Sequence, residues 1–128
     1  MHIVRGRAAG SRSEHRGDTF TGEVWADTLL PRTENVMLNN VFFAPGARTH
    51  WHRHEAGQVL HVLAGEGRVF DRDGKGDVIR TGDVVFIPAG EEHWHGAGPA
   101  SYMLHLAVSI GATEWLDPVT DEQYESTE

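Results

Sequence analysis

Glycine and proline punctuate this chain more firmly than any other feature of it. Ala44-Pro45-Gly46-Ala47, Gly65-Glu66-Gly67, Asp73-Gly74, Thr81-Gly82-Asp83 and Pro88-Ala89-Gly90 leave only short runs of Val, Ile, Leu and Phe between them. Breaks about every 8 to 12 residues leave no room for alternating βα units and specify an all-β sandwich or barrel. Strands are expected over 20–30, 36–43, 58–64, 68–72, 77–80, 84–87 and 102–109. Trp25 is the expected anchor of the first, and Leu30-Pro31-Arg32 its end, because proline cannot donate to a ladder. Residues 36–43 place Val36, Leu38, Asn40 and Phe42 on one face and Met37, Asn39, Val41 and Phe43 on the other. Apolar residues on both faces predict cover on both sides. Residues 1–19, rich in Arg, Gly and Ser, read as an arm or an edge strand around Ile3 and Val4, with 20–128 as a single barrel domain. Thr120 to Tyr124 is the one helical stretch, capped by Thr120 or Asp121, and Trp115 and Leu116 are expected to pack on the barrel.

Histidine is concentrated in two places. The chain has nine, and five lie in His50-x-His52-x-His54 and His93-x-His95. Side chains two apart on a strand share a face and stand about 6.5 Å apart, so neighbouring imidazoles can lean onto one ion. Gln58, just beyond a Glu-Ala-Gly turn, can add an amide oxygen. The two clusters read as halves of one metal site. His61, on the opposite face from Gln58, is expected outside it, and His2 and His15 in solvent.

Charge and cysteine usage narrow the partners. A net charge of −8 with scattered Lys and Arg argues against nucleic acid and against an anionic membrane surface. No apolar run is long enough to span a bilayer and no signal pattern is visible, so the cytoplasm is the expected compartment. With no cysteine, any metal must use imidazole and oxygen ligands. Open strand edges make a homodimer or a higher homo-oligomer the expected assembly.

Gly46, five residues, His52-x-His54, three residues, Gln58, six residues, Gly65 resembles the first cupin motif. Gly82, five residues, Pro88-x-Gly90, two residues, His93 resembles the second. The resemblance implies a double-stranded β-helix, the jelly-roll barrel of cupins, with a metal held by His52, His54, Gln58 and His93. Gln58 stands where cupins usually carry glutamate, and Ala97 where they usually carry asparagine. Trp51-His52-x-His54, Gly57-Gln58, His93-Trp94-His95-Gly96-Ala97 and Val119 to Tyr124 are similar to a narrower group, the small bacterial manganese cupins related to (R)-mandelonitrile lyases. That likeness implies manganese, with iron, nickel, cobalt and zinc as alternatives.

Three neutral imidazoles and a neutral amide leave a dication uncompensated, which makes it a stronger Lewis acid than a glutamate-ligated one. The expected chemistry is a lyase reaction on a small hydroxyl- or carbonyl-containing substrate, with cyanohydrin cleavage or formation implied by the resemblance. A histidine base moves the proton, the candidates being His105, His95 and His50. Val41, Phe42, Leu60, Trp94 and Met103 are candidates to shape the pocket, and Asn39 or Asn40 to meet a polar partner there. The rival readings are an iron and O2-dependent dioxygenase, and a non-catalytic binder of small ligands.

Overall fold

Fourteen residues from Gln58 to Asp71 form one unbroken strand that belongs to both sheets of the molecule. The computed structural model describes residues 1–6 and 11–127. In chain order the strands are β1 (Glu14–Arg16), β2 (Phe20–Thr21), β3 (Val24–Thr33), β4 (Val36–Phe43), β5 (Arg48–Thr49) and β6 (His52–His54). They continue with β7 (Gln58–Asp71), β8 (Gly76–Arg80), β9 (Val84–Ile87), β10 (His93–Ala97), β11 (Met103–Ile110) and β12 (Thr113–Trp115), and α1 (Asp121–Glu125) follows. The first sheet runs β1-β3-β4-β11-β7-β9, entirely antiparallel. The second runs β8-β7-β10 and then divides, with β5 and β2 at one end of β10 and β6 and β12 at the other. Two sheets facing each other and joined through β7 make a jelly-roll barrel. Among the described residues no helix is long and apolar enough to cross a membrane.

Several elements differ from the sequence reading. Gly65-Glu66-Gly67 is not a turn: β7 pairs with β11 up to Gly65 and with β8 and β10 from Glu66 and Gly67 onward. Gly65 has φ 82° and lies against the Tyr102 carbonyl, so the strand kinks there and changes partners without ending. Pro31 does not end β3, which reaches Thr33, because beyond Ala26 the described ladder on its β1 side has stopped and no donor is needed there. Register slips between Thr28 and Leu30 and between Leu30 and Thr33 absorb the irregularity. Trp25 is exposed and packs edge-on against His15, so it anchors no core. Ile3 and Val4 form no strand and lie open to solvent, whereas β1 lies further along the chain.

Two apolar clusters hold the barrel. The larger, including Val24, Val41, Phe43, Leu60, Val62, Ile87 and Met103, fills the space between the sheets. The smaller, Trp51, Trp94, Val119 and Tyr124 with Phe70 and Leu116, lies on the outer side of the second sheet. Helix α1 closes over it. Thr120 is its N-cap, in a capping box with Gln123. The Tyr124 hydroxyl donates to the Ala97 carbonyl at 2.8 Å, and Arg48 and Arg68 both lie over the Tyr124 ring.

Candidate metal centre

The neighbouring strands β6 and β10, paired antiparallel in the second sheet, bring the two histidine clusters together. His52 and His93 are register partners across them, with ring centroids 4.2 Å apart, and His54 and His95 follow two residues along each strand. All four rings are buried. The strand alternation fails at His50. Between the pairs Gly96↔Arg48 and His93↔His52 the chain takes four steps on one side against three on the other. The extra residue is a bulge, which takes His50 out of the shared face. Its ring does not line the cavity, but its carbonyl accepts from His52 Nδ1 at 2.9 Å.

That contact is one of a set. His93 Nδ1 donates to the Glu91 carbonyl at 2.9 Å, and His54 Nδ1 shares a hydrogen bond of 3.0 Å with the Thr113 hydroxyl. A ring that donates from Nδ1 to a carbonyl keeps its lone pair on Nε2. Burial pushes all these imidazoles toward neutrality: His52 and His95 well below the usual histidine range, His93 below it, and His54 to about 4. Neighbouring rings add to the effect for His52, His54 and His95, His93 being the largest such contributor for the first two and His105 for the third. Neutral rings with Nε2 lone pairs are what a metal requires.

Two further observations fit an ion. His54 Nε2 and His95 Nε2 are buried without a hydrogen-bond partner, a state that costs free energy unless a ligand takes the lone pair. Gln58 Oε1 lies 3.1 Å from His93 Nε2, while the Gln58 amide nitrogen donates to Ser109 Oγ. With Nδ1 carrying the His93 proton, both facing atoms are acceptors. Their separation is that of adjacent ligands at right angles around an ion with bonds of about 2.2 Å. By mutual distance, ligand atoms of His52, His93 and His95 all lie within 4.8 Å of one another, a three-histidine group that could hold a metal ion. This group shares His52 and His93 with the set expected from sequence and takes His95 where that set has His54 and Gln58.

His52, His54 and His95 open on a cavity of about 690 Å³, lined also by Gln58, Asn39, Val41, Ala107, Phe20 and Trp115. His105, on β11, lies on its wall too, with Nε2 2.9 Å from His95 Nδ1 and a pKa lowered by burial to about 4. Asn39 faces in with Oδ1 unpartnered, whereas Asn40 is on the outer face. Of the apolar residues expected to shape the pocket, only Val41 lines it. Phe42 stacks on Tyr102 outside the barrel, Trp94 faces the α1 cluster, and Leu60 and Met103 are buried in the core. His61 stays out of the cavity, as its parity requires. Trp115, 39% exposed, packs on the barrel as its size requires, with its ring 4.6 Å from that of His52. Thr113, Ser109 and the Glu91 carbonyl, which orient ligand candidates, carry no mark in the sequence, since hydroxyls and carbonyls in those roles look like any others.

The cupin domain family matches residues 39–108. An (R)-mandelonitrile lyase of Granulicella tundricola is 42% identical over 132 aligned positions, covering 97% of this chain and 98% of that protein. A crystal structure of a cupin-like protein from Thermotoga maritima has a TM-score of 0.87 at 38% identity, covering 94% of this chain and 97% of that one. An acireductone dioxygenase of Granulibacter bethesdensis is 28% identical, covering 82% of this chain and 60% of that protein. With the barrel, the two histidine clusters meeting inside it and these likenesses in agreement, the chain belongs to the cupin family.

Proposed function

We propose that this cupin is a metal-dependent lyase that cleaves, or in reverse forms, the bond between a hydroxyl-bearing carbon and a leaving carbon in a small substrate. Cyanohydrins are the substrate class favoured by its full-length likeness to an (R)-mandelonitrile lyase. The carrying observation is a wall of neutral, Nε2-presenting imidazoles on a cavity large enough for an aromatic substrate. His52, His54, Gln58 and His93 would hold the ion. Manganese suits four neutral N and O ligands better than zinc, which they would close; iron, nickel and cobalt are the other candidates. When bound, the ion supplies Lewis-acid polarisation of an oxygen.

The proton falls to the chain's own residues. His95 presents an unpartnered Nε2 and is tied through Nδ1 to His105 Nε2. In the proposed reaction His95 Nε2 takes the hydroxyl proton, and the His105 contact orients its ring and spreads the charge it gains. As the carbonyl forms, the carbon–carbon bond breaks and its electron pair leaves with cyanide. Cyanide then takes the proton from His95, so the products are an aldehyde and hydrogen cyanide. Phe20, Val41 and Trp115 offer apolar seating for a ring, and Asn39 a polar contact opposite. His50, with its ring outside the cavity, is assigned a positioning role through its carbonyl.

Manganese-loaded protein is expected to cleave mandelonitrile to benzaldehyde. The His105→Ala variant, which removes no ligand candidate, is expected to keep its metal and lose about a hundredfold or more in kcat. A wild-type rate equal to that of this variant, or of buffer, refutes the lyase reading. The likeness to acireductone dioxygenases supports a second reading, oxygen chemistry on iron. The histidine group includes no carboxylate, unlike the common non-haem iron site. Oxygen uptake by iron-loaded protein on adding a chelating substrate would establish it.

A further inference from the structure

The cavity carries charge opposite to that of the molecule around it. The chain has 19 acidic against 11 basic side chains, a net −8. On the cavity wall, among the described residues, the balance is reversed: Arg16 and Arg32 stand there against one carboxylate, Glu55. The lyase reaction uses neither guanidinium. A single-ring cyanohydrin also leaves much of about 690 Å³ unfilled, a volume in the range of sites for larger ligands.

Arg32 is the more informative of the two. The first register slip in β3 pairs Leu30 with Leu38 on the outer face of β4, and the second pairs Thr33 with Val36 on that same face. Arg32, beside Thr33, is thereby turned inward to the cavity rim. There its Nη1 donates to the Gly111 carbonyl at 2.9 Å, which fixes the plane of the guanidinium. Nε and Nη2 make no hydrogen bond with any described residue. Arg48, Arg53, Arg72 and Arg80 each hold a carboxylate within 3.4 Å, and among the described residues Arg32 holds none. Burial and the His93 ring lower the His54 pKa most, and the Arg32 charge lowers it further, so the guanidinium lies within electrostatic reach of the ligand candidates.

We infer that Arg32 is a specificity residue, receiving a carboxylate that the substrate carries on the end away from its reacting carbon. The inference rests on the lyase reading and narrows its substrate class to the cyanohydrins of carboxyl-bearing aldehydes. Two N–H groups on one side of a guanidinium match the two oxygens of a carboxylate, whereas a phosphate calls for more donors, and no lysine lines the wall. Arg16 is the second cation of the rim, partly compensated by Glu14 at 3.5 Å. With the hydroxyl at the imidazole wall and the ring against Phe20 and Val41, the carboxylate reaches the rim.

Unreactive probes separate this assignment from catalysis. Isothermal titration calorimetry of the manganese-loaded chain with para- and meta-(hydroxymethyl)benzoate is expected to give, for the tighter of the two, a Kd at least about tenfold below that of benzyl alcohol. Arg32→Gln is expected to erase that advantage, and Arg80→Gln, which removes the same charge away from the cavity, to keep it. Circular dichroism melts check that both variants are folded, and in the wild type added salt is expected to shrink the advantage. Equal Kd values for probe and benzyl alcohol overturn the assignment. So does an advantage that is insensitive to salt, or one that survives Arg32→Gln, as it would if the carboxylate sat on the metal. In turnover, the matching carboxyl-bearing mandelonitrile is expected to exceed mandelonitrile in kcat/KM by a similar factor. Mandelonitrile cleaved without that preference overturns this assignment alone. Probe binding lost in Arg32→Gln, with neither nitrile cleaved, refutes the lyase reading and leaves the carboxylate site in place.

Discussion

Five buried histidines lie against one another, four of them on the cavity wall, and each is held neutral by the cost of charging it away from water. The consequence for stability has a definite sign. His105 titrates at about 4 when folded and near its ordinary 6.5 when unfolded, so between those values the unfolded chain binds the proton and the folded one does not. Stability of the metal-free protein is therefore full above about pH 6.5 and falls as pH drops toward 4, His105 alone contributing on the order of 3 kcal/mol. Urea midpoints of stripped protein at pH 7.5 and 4.5 are expected to differ strongly, and those of His105→Gln less. Equal midpoints at the two pH values for the wild type would contradict this.

At the same scale, spacing made His52, His54 and His93 visible, because alternation on a strand is a local property. His50 obeys the same spacing and is misplaced by one bulged residue. That bulge exists only because β10 pairs β5 and β6 at registers one apart, and no local pattern encodes a long-range register.

Strand β7 shows what an element can conceal. Gly65-Glu66-Gly67 has the composition of a turn, yet the chain stays extended because β11 pairs it on one side of the kink and β8 and β10 on the other. Only glycine suits that corner, where φ is 82° and a methyl group would run into the Tyr102 carbonyl. Gly65→Ala is expected to destabilise the fold by more than about 2 kcal/mol in urea unfolding. Gly98→Ala, where nothing lies within 4 Å, should be close to neutral. Similar values for the two would show that the corner is not strained in this way. Pro31 gives the complementary lesson: it ends a strand only where a partner needs its missing N–H, and that need is invisible until the sheet order is known.

For the whole molecule, the short punctuated strands were enough to indicate an all-β sandwich or barrel, and the likeness to the cupin motifs chose the barrel. Which strand faces which was not legible, and the cavity depends on it: Trp115, Phe20 and Asn39 reach one space from three distant strands. The barrel matters to function because it gathers His52 and His54 on one strand and His93 and His95 on another around a common point. Elemental analysis of purified protein grown with manganese and iron tests this most directly. About one divalent transition metal per chain is expected, falling sharply in His52→Ala and in His93→Ala. Metal-free wild-type protein, or variants loaded as fully as the wild type, would contradict it.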